Sequence, residues 1–165
     1  MPSSLEDGKY TLQQDISQKL DSRLPVRDGD GGHDLHGSGG AYQSAAGGTD
    51  QLIVSGVYGT IDDPDTVRQH VMDGTRSDGI VTGVAVPPKV ITPAGSTEPV
   101  SREVLTTHVG VRDLPTPVCA WADSGTVAVV MRMAAANLTV SPGSIDLNAF
   151  AGEVSTVRDE VRVKL

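Results

Sequence analysis

The chain has 165 residues, 13 of them Lys or Arg and 21 Asp or Glu, for a formal net charge of −8. An acidic surface repels phosphates before specific contacts form, which disfavours nucleic acid and anionic membranes as partners. At 38% apolar and 3% aromatic residues, the core falls to Val, Ile, Leu, Ala and Met, with unusual weight on Trp121, Phe150 and the three tyrosines.

Leu12, Ile16 and Leu20 lie four apart ahead of Pro25, which predicts a short amphipathic helix over 12–24. Residues 28–50 hold eight glycines and almost no aliphatic side chains. That composition predicts a mobile loop, because it buries too little apolar surface to offset ordering entropy. Gln51–Ile61 is rich in β-formers and predicts a strand. Asp62 and Asp63 offer capping carboxylates, and Pro64 fits the first helical position, where a missing N–H costs nothing. A helix over 64–73 follows, with Val67 and Val71 on one face and Gly74 as its stop.

Ile80–Val86 alternates as a strand, whereas Pro87, Pro88, Pro93 and Pro99 predict an exposed connection over 87–100. Glu103–Val111 returns to β-branched residues. The strongest local signal is Val118–Met133, two strand runs around the Asp123-Ser124-Gly125 turn, which predicts a hairpin. Cys119 and Trp121 share one face of its first strand, and Ala120 and Ala122 point away from it. On its second strand the face bearing Val127, Val129, Met131 and Met133 is expected to meet the core. Leu147, Phe150, Val154, Val157 and Val161 then form a helical stripe, capped by Ser144 or Asp146.

Adjacent strands without intervening helices are antiparallel, so the expected architecture is α+β, a sheet of about five strands with helices packed on one face. The chain divides into an N-terminal helical segment (1–27), a Gly-rich flexible loop (28–50) and an α+β domain (51–165), together one globular domain.

The runs Gly56-Val57-Tyr58-Gly59-Thr60-Ile61-Asp62-Asp63-Pro64 and Pro117-Val118-Cys119-Ala120-Trp121-Ala122-Asp123, with the ending Val157-Arg158-Asp159-Glu160-Val161-Arg162-Val163, carry a resemblance. Over about residues 50 to 165 the chain resembles a family of actinobacterial proteins, common in streptomycetes, for which no activity is established. The resemblance implies a membrane protein or lipoprotein whose single anchor precedes an extracytoplasmic domain in the cell envelope. Many relatives carry a second cysteine on the strand before the hairpin, where this chain reads Val104-Leu105-Thr106-Thr107-His108-Val109. The chain as written contains no apolar stretch of the ~20 residues that cross a bilayer and no signal-peptide pattern. The expected location is the envelope if Met1 is not the natural start, and the cytoplasm otherwise.

Chemistry-bearing residues are few. The single cysteine, Cys119, forms no internal disulfide. Beside the only tryptophan it reads as a small buried core residue; the alternative is a nucleophile served by His108 on a neighbouring strand. His33, Asp34 and His36, with Asp28 and Asp30 upstream, offer metal-ligand chemistry but match no established spacing, and the calcium-loop pattern fails. Asp62, Asp63 and Asp65 read as helix-start residues and Asp123 as a turn former. No Gly-x-Ser-x-Gly elbow, Walker loop or dinucleotide fingerprint is present.

No catalytic, cofactor-binding or metal residue is therefore assigned, and no cofactor is expected. Cys119, Trp121, Asp123, Phe150 and Val154 are expected to build core and turn. The expected function is a non-catalytic domain that binds a protein or envelope partner or plays a structural role. The alternative is an enzyme using Cys119 with His108, or a metal held by the 33–36 loop.

Overall fold

The hairpin Val118–Met133 lies inside a single eight-stranded antiparallel sheet in the computed structural model, which describes residues 1–22, 24 and 26–162. The strands are β1 (Ser4–Leu5), β2 (Tyr10–Asp15), β3 (Gly32–Ser44), β4 (Gln51–Ile61), β5 (Val81–Ile91), β6 (Val100–Val109), β7 (Arg112–Ala122) and β8 (Thr126–Met133). Their spatial order is β1-β2-β3-β4-β8-β7-β6-β5. Two four-stranded meanders thus meet at a seam, where β4 pairs with β8 from Gln51↔Met133 to Tyr58↔Thr126. Three helices complete the fold: α1 (Ser17–Asp21), α2 (Pro64–Arg76) and α3 (Leu147–Val161).

The expectation of about five strands with helices on one face is overturned, because the sheet has eight strands and buries both faces. Val118, Ala120, Ala122, Val127 and Val129 cluster with Val67, Val71 and Met72 of α2. Cys119, Trp121, Ala128 and Val130 cluster with Phe150, Ala151, Val154 and Val157 of α3. Successive residues of a strand alternate between faces, so these two clusters place α2 and α3 on opposite sides of the sheet. The sequence signal was the unbroken apolar run of β7 and β8, which marks strands buried on both faces. Ala120 and Ala122, expected to point away from the core, pack under α2.

The glycine-rich 28–50 segment is not a loop over most of its length. It forms β3, a 13-residue strand paired with both β2 and β4. Its glycines permit close approach of neighbouring chain: a Cβ on Gly37 would sit 2.3 Å from the Asp21 backbone nitrogen, and one on Gly39 2.5 Å from Leu20 Cδ1. The small helix α1 rests there and satisfies part of the β3 edge. Ile16 N–H donates to the Gly39 carbonyl (3.0 Å), Gly39 N–H to Ser17 Oγ (3.1 Å) and Gly37 N–H to Asp21 Oδ1 (2.9 Å).

The helix predicted over 12–24 shrinks to α1 for a related reason. Thr11 and Leu12 pair with Gln43 and Tyr42 instead, and that ladder outweighs the helical spacing of the leucines. Pro25, its expected stop, lies outside the described residues. The connection expected over 87–100 is β5 up to Ile91. β5 is an edge strand, and its register slips between Val86 and Lys89, so Pro87 and Pro88 cost no ladder bond. α2 extends three residues beyond its expected end, with Gly74 inside it and Ser77 as C-cap. α3 begins at the Asp146 cap, whose carboxylate accepts from Asn148 and Ala149 N–H, and ends at Val161. Val163, in the C-terminal run cited for the resemblance, lies outside the described residues.

Candidate functional site

Cys119 and Trp121 are fully buried in the α3 cluster with Phe150 and Val154. Burial pushes the Cys119 thiol far above its ordinary value, because the thiolate would have to form in an apolar interior. His108 does not reach it. In the β6–β7 ladder Cys119 stands opposite Arg102, whereas His108 stands opposite Asp113 and bonds its carboxylate at 2.9 Å. Six residues along a strand is roughly 20 Å. The nucleophile-and-base pairing is absent from this fold.

His33 and His36 lie exposed on β3, on either side of a bulge where Asp34 takes φ 55. His33 Nδ1 bonds Asp34 at 3.0 Å, and that bond raises the imidazole above its ordinary value. His36 stacks on Tyr58 with ring centroids 5.4 Å apart. Among the described residues no three His, Cys, Asp or Glu side chains converge into a metal-holding group.

Asp63 is the α2 cap: its carboxylate accepts from the Thr66 hydroxyl (2.7 Å) and backbone N–H (3.1 Å), which holds it below the usual carboxylate range. Asp65 pairs with Arg68 at 2.6 Å, and Asp62 instead donates its backbone N–H to the Gly31 carbonyl. Asp123 closes the β7–β8 turn by accepting from Gly125 and Thr126 N–H.

The buried charges are structural. Glu103, on β6 and fully buried, accepts from Arg76 Nε at the end of α2 (3.0 and 3.1 Å). Desolvation raises its carboxyl and the Arg76 bonds oppose that rise. Arg158 of α3 holds Glu98 (2.7 Å), fastening the β5–β6 turn to the helix. Arg132 pairs with Glu153 and lies over the Phe150 ring, 5.0 Å from its centroid. Each ties a helix or a turn to the sheet.

A larger hollow lies elsewhere, at the end of the sheet where β3 turns into β4, β6 turns into β7, and β8 leaves for a short 3-10 turn (Ala135–Thr139). It is an open groove of about 370 Å³. Val109, Leu114, Met133, Ala135 and Leu138 supply its apolar wall, and Gln43, Thr49, Gln51 and Arg112 its polar rim. Its volume falls at the small end of the ~300–1,000 Å³ range of ligand pockets, and mostly apolar walls with a few polar groups are their usual lining.

The rim is ordered by its own bonds. Gln51 Nε2 donates to Gln43 Oε1 (2.9 Å), and Gln43 Nε2 donates to the Gly48 (2.8 Å) and Asp50 (3.1 Å) carbonyls. Val109 and Leu138 on the wall stay 44% and 38% exposed, and Val111 and Val140, within two residues of them, 92% and 43%. Exposed aliphatic side chains gathered at one end mark a contact surface more than scattered ones do.

A second, shallower cleft of about 150 Å³ lies between α1 and α2, over Ser55 and Val129. It lies on the same sheet face as the groove's Gln51 and Met133, with the half-buried pair Ile53↔Met131 between them on the seam.

Of the groove residues, Met133 is expected from sequence to face the core, and none is marked there as a ligand contact. One available signal was Gly110-Val111 between β-branched runs, with Gly110 at φ 64, the glycine-first pattern of a two-residue hairpin turn. Comparison with protein-family models finds no match for the chain, and comparison with curated proteins finds none either.

Proposed function

We propose that this chain is a non-catalytic binding domain and that the groove at the Val109–Leu138 end takes a small amphipathic ligand. One observation carries the reading: an open groove of about 370 Å³ combines an aliphatic wall with an ordered amide rim, while the thiol is sealed and its suggested base stands six residues along the neighbouring strand. The envelope setting is proposed on the Pro117–Asp123 and Gly56–Pro64 motifs alone; a protein or envelope component is then the source of the ligand.

The test is a titration of the isotope-labelled chain with short amphiphiles below their aggregation concentration, followed by amide chemical shifts. Saturable shifts confined to 43–55, 109–114 and 129–138 are expected. Shifts spread over the whole surface, or none, would refute the reading. A companion measurement addresses the enzyme alternative: Cys119 should react with a thiol reagent only at the rate at which the chain unfolds, and fast labelling of the native protein would restore a reactive cysteine.

A further inference from the structure

We infer that the groove selects amphiphiles with a carboxylate head group, held by Arg112, and that the aliphatic tail lies along the seam toward Met131. The inference rests on the binding reading above and adds the ligand's charge.

Arg112 is exposed at the rim, beside an aliphatic wall. Among the described arginines Arg68, Arg76, Arg132, Arg158 and Arg162 pair with carboxylates, whereas Arg27, Arg102 and Arg112 do not, and of these three Arg112 lines the groove. Arg112 has no carboxylate partner among the described residues, and the nearest acid in sequence, Asp113, is engaged by His108. The guanidinium is therefore a forked donor set without an acceptor, the geometry that matches a carboxylate in a bidentate pair.

The remaining rim groups sharpen the choice. Gln43 spends both amide N–H groups on the Gly48 and Asp50 carbonyls and Gln51 spends one on Gln43, so Arg112 is the charged donor of the lining, beside the neutral Thr49 hydroxyl and the second Gln51 N–H. Beyond the head, the floor of the groove is Met133, and the next same-face pair along the seam is Ile53↔Met131. Both methionines are half-buried, and an unbranched thioether chain adapts to a flexible alkyl tail. The next pair, Ser55↔Val129, floors the cleft between α1 and α2, about 13 Å from the groove at the rise of an extended strand.

The experiment compares octanoate with octan-1-ol, the same tail without the charge, on the full chain and on Arg112→Gln, at low salt. The expected result is a preference of about tenfold for octanoate, the worth of one charge-assisted contact at a wet rim. Arg112→Gln should erase that preference by lowering octanoate affinity to about that of octan-1-ol, and Arg112→Lys should restore part of it. Decanoate should bind more tightly than octanoate, by up to about fourfold for each methylene that is buried.

Equal affinity for the acid and the alcohol, or a preference that survives Arg112→Gln, would overturn the carboxylate assignment while leaving the binding reading intact. Affinity that does not rise with tail length would overturn the placement along the seam. Failure of both amphiphiles to bind would remove the groove as a site altogether. Circular dichroism and the unfolding midpoint of Arg112→Gln, expected unchanged for an exposed residue, separate loss of binding from loss of fold.

Discussion

Trp121 under α3 and Leu138 at the groove are both large apolar side chains, yet one is fully buried and the other 38% exposed. What separates them is the presence of a helix with the right stripe. α3 lays Phe150, Ala151, Val154 and Val157 across β7 and β8, and the aliphatic residues beneath lose their water. At the groove end the chain offers only a short 3-10 turn, which presents too little apolar surface to close the sheet. The same chemistry therefore makes core at one place and a candidate site at the other, and the difference is decided by what covers it.

Four substitutions would break or sharpen this contrast. Trp121→Ala, on the roofed face, should cost about 3–5 kcal/mol in denaturant unfolding, the cost of emptying a fully packed aromatic site. A loss under about 1 kcal/mol would mean that the indole is not packed as described.

Gly56→Ala, on the same face of the seam, should cost about 1–3 kcal/mol, because its Cβ would lie 2.1 Å from the Val127 carbonyl and 2.6 Å from the Ala128 methyl. Gly143→Ala, where a Cβ meets nothing within 4 Å, is the matched control and should stay within about 0.5 kcal/mol. Val111→Ser, at the open end, should have the smallest effect, within about 0.5 kcal/mol, because Val111 is 92% exposed. A larger loss there would show that the tip is covered in solution.

How much of this was legible from sequence follows the same division. The α3 stripe, the Asp63-Pro64 helix start and the Val118–Met133 hairpin are written in local spacing and turn chemistry, although Ala120 and Ala122 of the hairpin pack under α2 where the local reading turns them away from the core. β3 and β5 are not local. Gly37 and Gly39 look like loop residues until a neighbouring helix comes to rest against them. Pro87 and Pro88 look like breakers until the strand carrying them is found at an edge. The use of both sheet faces is present in the unbroken apolar run of β7 and β8, which an alternating pattern for a one-sided sheet does not describe.

Of the candidate site, Gly110-Val111 was the readable part. Arg112 and the two glutamines acquire meaning only when three separate turns converge. A groove assembled from distant pieces of chain leaves no contiguous motif behind.

The seam between β4 and β8 bears on how the molecule reaches its native state. Each meander can zip through short hairpins and nearby turns, but the join between the halves brings together residues far apart in the chain, Tyr58 and Thr126 being the closest pair along it. That closure is repaid only after α2 and the whole second meander have been strung between the two edges. The central ladder is therefore the natural late event in folding, and until it forms each half exposes a bare, aggregation-prone border that the finished protein hides in its middle.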